Sequence, residues 1–509
     1  MRLRRALATT VAAMSTALVL SSCGVFDNGG ASADTSDTLR LGISRQLTSL
    51  DPGKSGSIDG DATVQGAIFN GLTRIDPNLD LVGDLAESWE QESETRWVFH
   101  LRQGVKFSNG DPFTSADAAW NFDRVLSDTS GFSNGASLAP VIAEVSTPDD
   151  HTLVIDTKGP YLDLADRLAN FFLTQQAWTE THNPGLEPLG TGPYRLVSLD
   201  LENGATLERN PEYWGEQPDF DTVEYVVLST EAARVSAAQT GSIDAAVQFE
   251  PANLEQFADS DVYDTGNQWS SWNMSLRFNE TKAPLGDVRV RQGLNYAVDK
   301  ATIASTLLGS DITPLEGQVL SGPYDKLNPA LSAYPYDPER AKQLFAEAGF
   351  PNGFELELQL STGTYIASDL VAEAIANQLA EVGVKVNITT AQFPAWVDRS
   401  RTDEVADLIY IGYTSGYKAP VERLRIYTSG YAQSHFEDPE YDNLISQLTA
   451  APNEQERTRL FNEATSHFHA NPHVLFLWPQ PLTYVVSKDL DWTPRPEHWL
   501  LPQDFSLAE

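Results

Sequence analysis

The pattern of apolar and polar positions changes period several times along the chain, most clearly in its C-terminal half. An Asp-Pro pair at 337–338 provides a helix N-cap and a first-turn proline, and the helical spacing that follows ends at Gly349. Residues 354–360 (FELELQL) alternate as a strand does, residues 368–382 return to helical spacing, and residues 384–388 (VKVNI) alternate again. This order predicts a βαβ unit with parallel strands and a right-handed crossover.

Other segments predict further elements of both kinds. Residues 287–301 place apolar side chains on one helical stripe, and residues 453–468 show a second helical pattern. Residues 97–101 and 152–156 are typical of antiparallel strands. The stripe of the first helix consists of Val290, Leu294, Ala297 and Val298. We therefore predict an α/β fold that also contains antiparallel pieces.

Length and charge exclude several classes of protein. The chain has 509 residues, and about 470 of them follow residue 37, which exceeds one hydrophobic core and predicts two or three domains. It carries 34 basic and 71 acidic residues, a net charge of −37, and such a surface repels nucleic acid. With 41% hydrophobic residues and 11 Trp, the chain is not a disordered acidic polymer. We interpret its charge as a source of solubility.

The N-terminal segment has the features of a bacterial lipoprotein signal. Arg2, Arg4 and Arg5 precede an apolar run at 6–20, which is too short and too closely followed by polar sequence to span a membrane. The single cysteine of the chain, Cys23, ends a Leu-Ser-Ser-Cys sequence that resembles a lipobox, in which the Cys is acylated and becomes the new N-terminus. We predict a signal peptide at 1–22, a lipid anchor on Cys23 and a flexible tether at 23–37. The alternative is an ordinary signal peptide with an incidental Cys.

The sequence contains no recognisable catalytic or metal-binding motif. It lacks a G-x-S-x-G elbow, a Walker loop and an H-E-x-x-H helix, and the Gly-Thr-Gly-Pro at 190–193 lacks the third Gly of a dinucleotide loop. His467, His469 and His473 form the densest His cluster, but helix positions two apart face different ways and do not share one ion. No carboxylate pair at glycosidase spacing can be identified in so acidic a sequence. We therefore predict no catalytic residue, no metal site and no cofactor.

A series of motifs runs through most of the chain. Residues 83–122 read GDLAESWEQESETRWVFHLRQGVKFSNGDPFTSADAAWNF. The later motifs are GTGPY at 190–194, NPEYWG at 210–215, FNETKAPLGDVRVRQGLNYAVDK within 276–300, YDPERAKQLFAEAGF at 336–350, FEDPEYDNL at 436–444 and a proline-rich strand within 471–486. In this order they resemble the family 5 solute-binding proteins, the peptide- and nickel-binding receptors of bacterial ABC importers. The resemblance covers essentially the whole body of the chain after the tether.

This resemblance implies an architecture. Members of the family have a two-lobed, periplasmic-binding-protein-like fold of the class II or cluster C type, with an extra inserted domain. Carried over, the first lobe comprises residues 38–63, 190–268 and 479–509. The inserted domain spans residues 64–189, and the second lobe spans residues 269–478. The ligand is then enclosed between the lobes, and no bond is made or broken.

The resemblance also implies where the ligand is contacted, namely at a loop near the start of the first lobe, at the hinge and at a loop in the second lobe. The corresponding residues are Arg45, Gln46, Trp269, Trp272, Asn273, Tyr410, Tyr413 and Tyr417. Arg45 either holds a carboxylate with two hydrogen bonds or is an ordinary surface arginine. The two tryptophans either face the cleft or pack the hinge. Tyr413 and Tyr417 lie in a polar loop, where exposed aromatic residues are more often functional.

The second-lobe loop departs from the pattern of peptide-binding members. Those members usually carry an Asp here that pairs with the terminal ammonium of the peptide. Residues 411–420 (IGYTSGYKAP) contain no carboxylate, and the nearest one is Glu422. Because an unpaired ammonium in a closed cleft is costly, either Glu422 or another acid replaces that Asp, or the ligand is not a free-amine peptide. Aromatic contacts with few charges would suit an oligosaccharide.

The leading prediction is a lipid-anchored receptor on the outer face of the cytoplasmic membrane that passes di- or oligopeptides to an ABC permease. The same role for an oligosaccharide, an opine or a metal chelate is the alternative within this class. Outside it, the alternatives are a secreted lipoprotein glycoside hydrolase and a lipoprotein with a structural or chaperone role. The predicted partners are the ligand, the permease subunits and the membrane through Cys23, without nucleic acid, and we expect a monomer.

Overall fold

The structure is a computed structural model that describes residues 37–54, 60–128, 132, 138–309, 312–322, 327–402, 404–414 and 420–508. The predicted signal peptide, Cys23, the tether before Asp37 and Tyr417 lie outside these residues. Within them, none of the helices combines the length and the apolar composition that crossing a bilayer requires.

Strands and helices follow one another in mixed order. The strands are β1 (Thr38–Ile43), β2 (Thr73–Ile75), β3 (Leu81–Gly83), β4 (Ala86–Ser93), β5 (Arg96–Leu101), β6 (Ile142–Asp149), β7 (Thr152–Thr157), β8 (Tyr194–Asp200), β9 (Gly204–Arg209), β10 (Thr222–Val227), β11 (Ala245–Val247), β12 (Tyr263–Gln268), β13 (Asn273–Phe278), β14 (Phe354–Ser361), β15 (Val384–Ala391), β16 (Leu408–Tyr413), β17 (Val474–Pro479), β18 (Leu482–Ser487), β19 (Leu490–Trp492) and β20 (Phe505–Leu507). The helices are α1 (Gly60–Ile68), α2 (Ser115–Ser127), α3 (Leu164–Arg167), α4 (Gln176–Thr179), α5 (Glu231–Gln239), α6 (Pro251–Leu254), α7 (Val288–Tyr296), α8 (Lys300–Leu307), α9 (Pro338–Glu347), α10 (Ser368–Glu381), α11 (Phe393–Ser400), α12 (Pro420–Arg425), α13 (Pro439–Thr449) and α14 (Glu454–Ala470).

The first sheet has seven strands in the order β12-β18-β11-β1-β10-β9-β8. β1 pairs parallel with both β10 and β11, and the other pairs are antiparallel. Leu39 and Leu41 of β1 are fully buried and belong to one core with Val223 and Leu482. This sheet therefore gathers segments from both ends of the chain.

The second sheet has five strands in the order β15-β14-β16-β13-β17. β14 pairs parallel with β15 along its whole length, and α10 connects the two strands. The elements and the parallel pairing of the predicted βαβ unit are thus confirmed. The preceding helix, α9, also begins as predicted, because the side chain of Asp337 accepts a hydrogen bond from the backbone N of Arg340 at 2.9 Å.

The prediction of one helix at 287–301 is wrong, because the structure divides this segment into α7 and α8. The side chain of Asp299 accepts a hydrogen bond from the backbone N of Thr302 at 3.0 Å and so caps a new helix. Ala297 and Val298 lie between the two helices and are buried all the same. The apolar positions were therefore identified correctly, but the N-cap within them was not.

A third, four-stranded antiparallel sheet has the order β4-β5-β7-β6. It confirms the predicted strands at 97–101 and 152–156, which pair directly as β5 and β7. Residues of α2 pack against it, and Phe99, Phe122 and Leu153 belong to a core that is separate from those of the other two sheets.

Two short segments connect the first and second sheets. The chain passes from β12 to β13 through residues 269–272, and it returns from β17 to β18 through residues 480–481. We call these the hinge segments. The parts that carry the first and second sheets are called the first and second lobes, and residues 64–189 are called the inserted segment. The exact limits predicted for the lobes and the inserted domain stay predictions.

Candidate functional site

The two hinge segments are hydrogen-bonded to each other. The backbone N of Gln480 donates to the carbonyl oxygen of Trp272 at 2.7 Å, and the Ser270 hydroxyl donates to the carbonyl oxygen of Gln480. The Gln480 side chain is buried and accepts a hydrogen bond from the backbone N of Ile366 at 3.1 Å. Two adjacent connections of this kind allow one lobe to rotate against the other.

Arg45 lies in the loop after β1 and contacts both the hinge and the second lobe. Its guanidinium carbon is 5.2 Å from the ring centroid of Trp272 and 4.7 Å from that of Phe393, the first residue of α11. Trp272 is buried, and its indole N donates to the carbonyl oxygen of Glu497 at 3.3 Å. The structure therefore brings Arg45 and Trp272 together, whereas the predicted neighbour Gln46 is exposed.

His498 belongs to the same cluster and was missed by the sequence analysis. Its ring centroid is 5.8 Å from that of Trp272, and it is only 2% exposed. Neither ring nitrogen has a hydrogen-bond partner among the described residues. Burial, and then the charge of Arg45, lower the pKa of His498 to about 3, so the ring is neutral near pH 7. No motif or periodic pattern in the sequence marks this residue.

Trp269 and Asn273 are linked through a serine of the second lobe. The indole N of Trp269 donates to the Ser321 hydroxyl at 3.3 Å, and that hydroxyl donates to the side-chain oxygen of Asn273. Asn273 is buried, and its amide nitrogen has no partner among the described residues. Trp269 also lines a cavity of about 230 Å³ together with Leu315, Leu320 and Pro479.

The tyrosines of β16 have different environments. Tyr410 is 1% exposed and packs against Tyr365, and burial raises the pKa of its hydroxyl. Tyr413 is partly buried, and its hydroxyl donates to the side chain of Gln433 at 2.7 Å. Tyr410 therefore occupies a core position, whereas Tyr413 lies near the end of the strand. Tyr417 is not described.

The end of β16 also contacts the hinge directly. The hydroxyl groups of Ser271 and Thr414 are 2.6 Å apart, and Nη1 of Arg423 donates to the carbonyl oxygen of Ser271 at 3.4 Å. In addition, Asn273 and Tyr413 face each other in the pairing of β13 with β16. The hinge and the second-lobe segment predicted to contact ligand are thus neighbours.

Glu422 of α12 is buried and has partners from two parts of the chain. Its carboxylate accepts hydrogen bonds from the Tyr161 hydroxyl and from Nη2 of Arg425, each at 2.9 Å, and lies 3.5 Å from Nε of Arg167. Burial alone would raise the pKa of Glu422, but the charges of Arg167 and Arg425 outweigh it and lower that pKa. Neither Tyr161 nor Arg167 was predicted from the sequence. The pairing of Glu422 with a ligand ammonium stays a prediction.

A cavity of about 350 Å³ lies between the first lobe and the inserted segment. Its lining includes the charged residues Arg74, Asp84, Arg102, Arg495 and Glu497. Asp84 is buried, and this burial raises the pKa of its carboxyl to about 7. Among the residues that the structure describes, no group of three or more His, Cys, Asp or Glu side chains is arranged to hold a metal ion.

The chain has two lobes joined by paired hinge segments, and side chains from three regions lie beside the hinge. These features define a class of protein, namely the two-lobed α/β binding proteins that close on a small molecule. The family model described as "Bacterial extracellular solute-binding proteins, family 5 Middle" matches residues 80–435. The chain therefore belongs to family 5 of the bacterial extracellular solute-binding proteins, as its motifs predicted. Members of this family serve ABC importers.

The chain is similar to binding proteins rather than to enzymes. It is 27% identical over 471 residues to the glutathione-binding protein GsiB of Pectobacterium atrosepticum, covering 88% of this chain and 90% of that one. The periplasmic binding protein DppA of Helicobacter pylori, in complex with the peptide STSA, matches with a TM-score of 0.83 and 18% identity, over 93% of this chain and 98% of that one. The binding protein AgaA of A. tumefaciens R10, in complex with agropinic acid, matches with a TM-score of 0.81 and 25% identity, over 93% and 99%. These similarities confirm the predicted two-lobed α/β fold.

Proposed function

We propose that this protein captures a di- or oligopeptide between its two lobes, outside the cytoplasmic membrane, and delivers it to the permease of an ABC importer. The observation that carries the proposal is the position of Arg45, a first-lobe residue in contact with Trp272 of the hinge and Phe393 of the second lobe. The guanidinium of this first-lobe residue thus contacts both the hinge and the second lobe, the parts that closure of the cleft brings together. Closure around a ligand shifts the population from open to closed forms, which a permease can distinguish by shape.

In this proposal the ligand lies beside the hinge. Arg45 pairs with a carboxylate of the ligand, Trp272 and Tyr413 offer aromatic surfaces, and the amide of Asn273 offers hydrogen bonds. Gln46, Trp269 and Tyr417 are proposed as further contacts on the family resemblance alone, and the contact predicted at Tyr410, which packs in the core, stays a prediction.

Native mass spectrometry of protein purified without refolding tests the class of ligand, because a closed binding protein often retains its ligand. Calorimetric titration with trialanine then measures the affinity for a short peptide. Arg45→Gln should weaken this binding at least about ten-fold, or about 1.4 kcal/mol, because it removes charge-assisted hydrogen bonds to the carboxylate.

Arg40→Gln is the matched control. Arg40 lies on β1, shortly before Arg45 in the chain, and its guanidinium is 3.8 Å from a carboxylate oxygen of Asp244. Its removal should leave the affinity for trialanine unchanged. Equal affinities of the two variants, recovery of a hexose series from the native protein, or cleavage of the peptide would each contradict the proposal.

A solute without a free terminal ammonium is the second candidate, with an opine as the most direct example. Two observations favour it: residues 411–420 contain no carboxylate, and Glu422 already has three partners from the protein. Parallel titrations with agropinic acid, trialanine and N-acetyl-trialanine separate the candidates. Tighter binding of agropinic acid than of either peptide would select the opine.

We also propose that Cys23 carries the lipid that holds the receptor, as a monomer, on the outer face of the membrane. Metabolic labelling with palmitate should mark the wild-type protein and not the Cys23→Ser variant. Label in both proteins, or in neither, would remove the lipid anchor from the proposal.

A further inference from the structure

The inserted segment meets the second lobe through charged side chains that are largely buried. Glu422 contacts Tyr161 and Arg167 as described above, and Arg457 of α14 forms an ion pair with Asp163. The exposed fractions of the four charged side chains range from 5% for Arg167 to 19% for Arg457. We call these five residues the interlobe latch. Within the described ranges, the hydrogen bonds between the inserted segment and the second lobe run from side chain to side chain.

The attachment of the inserted segment to the first lobe combines a buried ion pair with backbone hydrogen bonding. Nη1 and Nη2 of Arg124 donate to the two carboxylate oxygens of Asp51 at 2.9 and 2.7 Å. The backbone N of Leu50 donates to the carbonyl oxygen of Gly185 at 3.0 Å. Because the inserted segment is also continuous with the first lobe at both of its ends, this ion pair and this backbone hydrogen bond make it move with the first lobe. Rotation at the hinge would therefore separate the latch residues of the inserted segment from those of the second lobe.

We propose that the interlobe latch stabilises the closed form of the receptor, so that Glu422 is a positioning residue for closure and not the counter-ion of a ligand ammonium. This inference rests on the proposed function, because it requires lobes that open and close. The latch sets the ratio of closed to open molecules before any ligand is bound. It thereby adds affinity for every ligand in equal proportion, whatever charge the ligand carries.

The chemistry of the latch supports this role. The Glu422 carboxylate has two cations and a hydroxyl around it, and Arg425 belongs to the same helix, so it stays with Glu422 when the lobes separate. Tyr161 and Arg167 do not stay. When the lobes separate, the carboxylate exchanges these partners for water. Because a hydrogen bond to a charged group stabilises more than a neutral one, this exchange favours the closed form. Removal of one latch charge should lower the ratio of closed to open molecules about ten-fold.

Single-molecule energy transfer between dyes on the two sides of the cleft measures this ratio directly. The mature chain with Cys23→Ser provides a background without cysteine, and Asp123→Cys on α2 and Glu373→Cys on α10 provide exposed helical positions for the dyes. We expect Glu422→Gln and Arg457→Gln each to lower the closed fraction of the ligand-free protein. Circular dichroism of each variant verifies that it is folded.

Arg459→Gln is the matched control for Arg457→Gln. Both arginines lie on α14 and pair with the glutamate three residues earlier, but the guanidinium of Arg459 is exposed and its other ion pair is with Glu463 of the same helix. It should leave the closed fraction unchanged. Equal closed fractions in Arg457→Gln, Arg459→Gln and wild type would overturn the latch.

Titration of the same proteins with trialanine and N-acetyl-trialanine separates the latch from the pairing of Glu422 with a ligand ammonium. A latch lowers both affinities by the same factor in Glu422→Gln. Loss of affinity for trialanine alone, with the ligand-free closed fraction unchanged, would make Glu422 the ammonium partner and refute the latch. If neither peptide binds, the peptide proposal fails, while the closed fraction of the ligand-free protein still decides the latch.

Discussion

His473 provides the sharpest test of how charge stabilises the second lobe. Its ring is fully buried, with Nδ1 2.5 Å from a carboxylate oxygen of Glu280 and Nε2 3.0 Å from one of Asp438. Burial alone would lower the pKa of His473, but its hydrogen bonds to Asp438 and Glu280 outweigh burial and raise that pKa. A doubly protonated imidazolium therefore joins two carboxylates from distant segments. We predict that His473→Gln destabilises the lobe in a manner that depends on pH.

The magnitude follows from the contacts that are lost. Each hydrogen bond to a charged group contributes about 1.5–3 kcal/mol, and the Gln amide can replace one of the two with a weaker one. The Asp438 carboxylate keeps the backbone N of Tyr441, His467 and Asn471 as donors, at 2.8–3.0 Å. We therefore expect a loss of about 3 kcal/mol, at the lower end of what breaking a buried ion pair costs.

The sign of the pH dependence follows from the two pKa shifts. The folded-state pKa of His473 is raised above its ordinary value of 6.5, so its contribution is complete below about pH 6.5 and is lost as the pH rises through the raised value. The pKa of Asp438 is lowered. Burial alone would raise it, but the hydrogen bonds that the carboxylate accepts outweigh burial, and the bond from His473 contributes most among them. Its contribution is present above its ordinary value of 3.8 and is lost at lower pH. The cluster therefore stabilises most between about pH 4 and 6.5.

Urea unfolding followed by tryptophan fluorescence at about pH 5.5 and about pH 9 measures this difference. The destabilisation by His473→Gln should fall from about 3 kcal/mol to about 1 kcal/mol, because neutral imidazole has one N–H and keeps only one of the two donor bonds. His100→Gln is the control, since this half-exposed ring on β5 is 3.8 Å from Glu90 and should change stability by less than about 0.5 kcal/mol at either pH. An equal or larger effect of His473→Gln at the higher pH would refute the reasoning.

Three further substitutions test the packing and the caps by thermal or urea unfolding. Gly190→Ala should cost about 3 kcal/mol, because its Cβ would lie 2.2 Å from the carbonyl oxygen of the last residue of α1, whereas Gly159→Ala meets no atom within 4 Å and should be neutral. Tyr413→Phe should cost about 1 kcal/mol through the hydrogen bond to Gln433, and an unchanged stability would place that hydroxyl in solvent. Asp337→Ala should cost about 1 kcal/mol by uncapping α9, and no loss would mean that the cap is dispensable.

The parts of the fold that were predictable are those whose causes are local. The cap of α9 and the alternation in β14 and β15 act within one helix or strand, so composition and spacing identify them. The same local logic failed between α7 and α8, where the first helix ends at Tyr296 and Asp299 caps the next one without interrupting the apolar stripe. An apolar period reports which side chains are buried. It does not show whether the helix that carries them is continuous.

The candidate site depends on contacts that no local pattern carries. The indole of Trp272 reaches Glu497 across 225 residues of sequence, and the hydroxyl of Tyr161 reaches Glu422 across 261. The resemblance to the family pointed to Trp272, and Glu422 was named only as the acid nearest to a loop that lacks the family's Asp. The partners of both residues come from a terminal segment without periodicity and from the inserted segment. This matters for chemistry, because a carboxylate that looks available in the sequence is enclosed by Tyr161, Arg167 and Arg425 once the segments meet. A ligand ammonium would have to compete with those groups for the carboxylate. A substitution of Glu422 should therefore change the ratio of closed to open molecules before it changes the preference for a charged ligand.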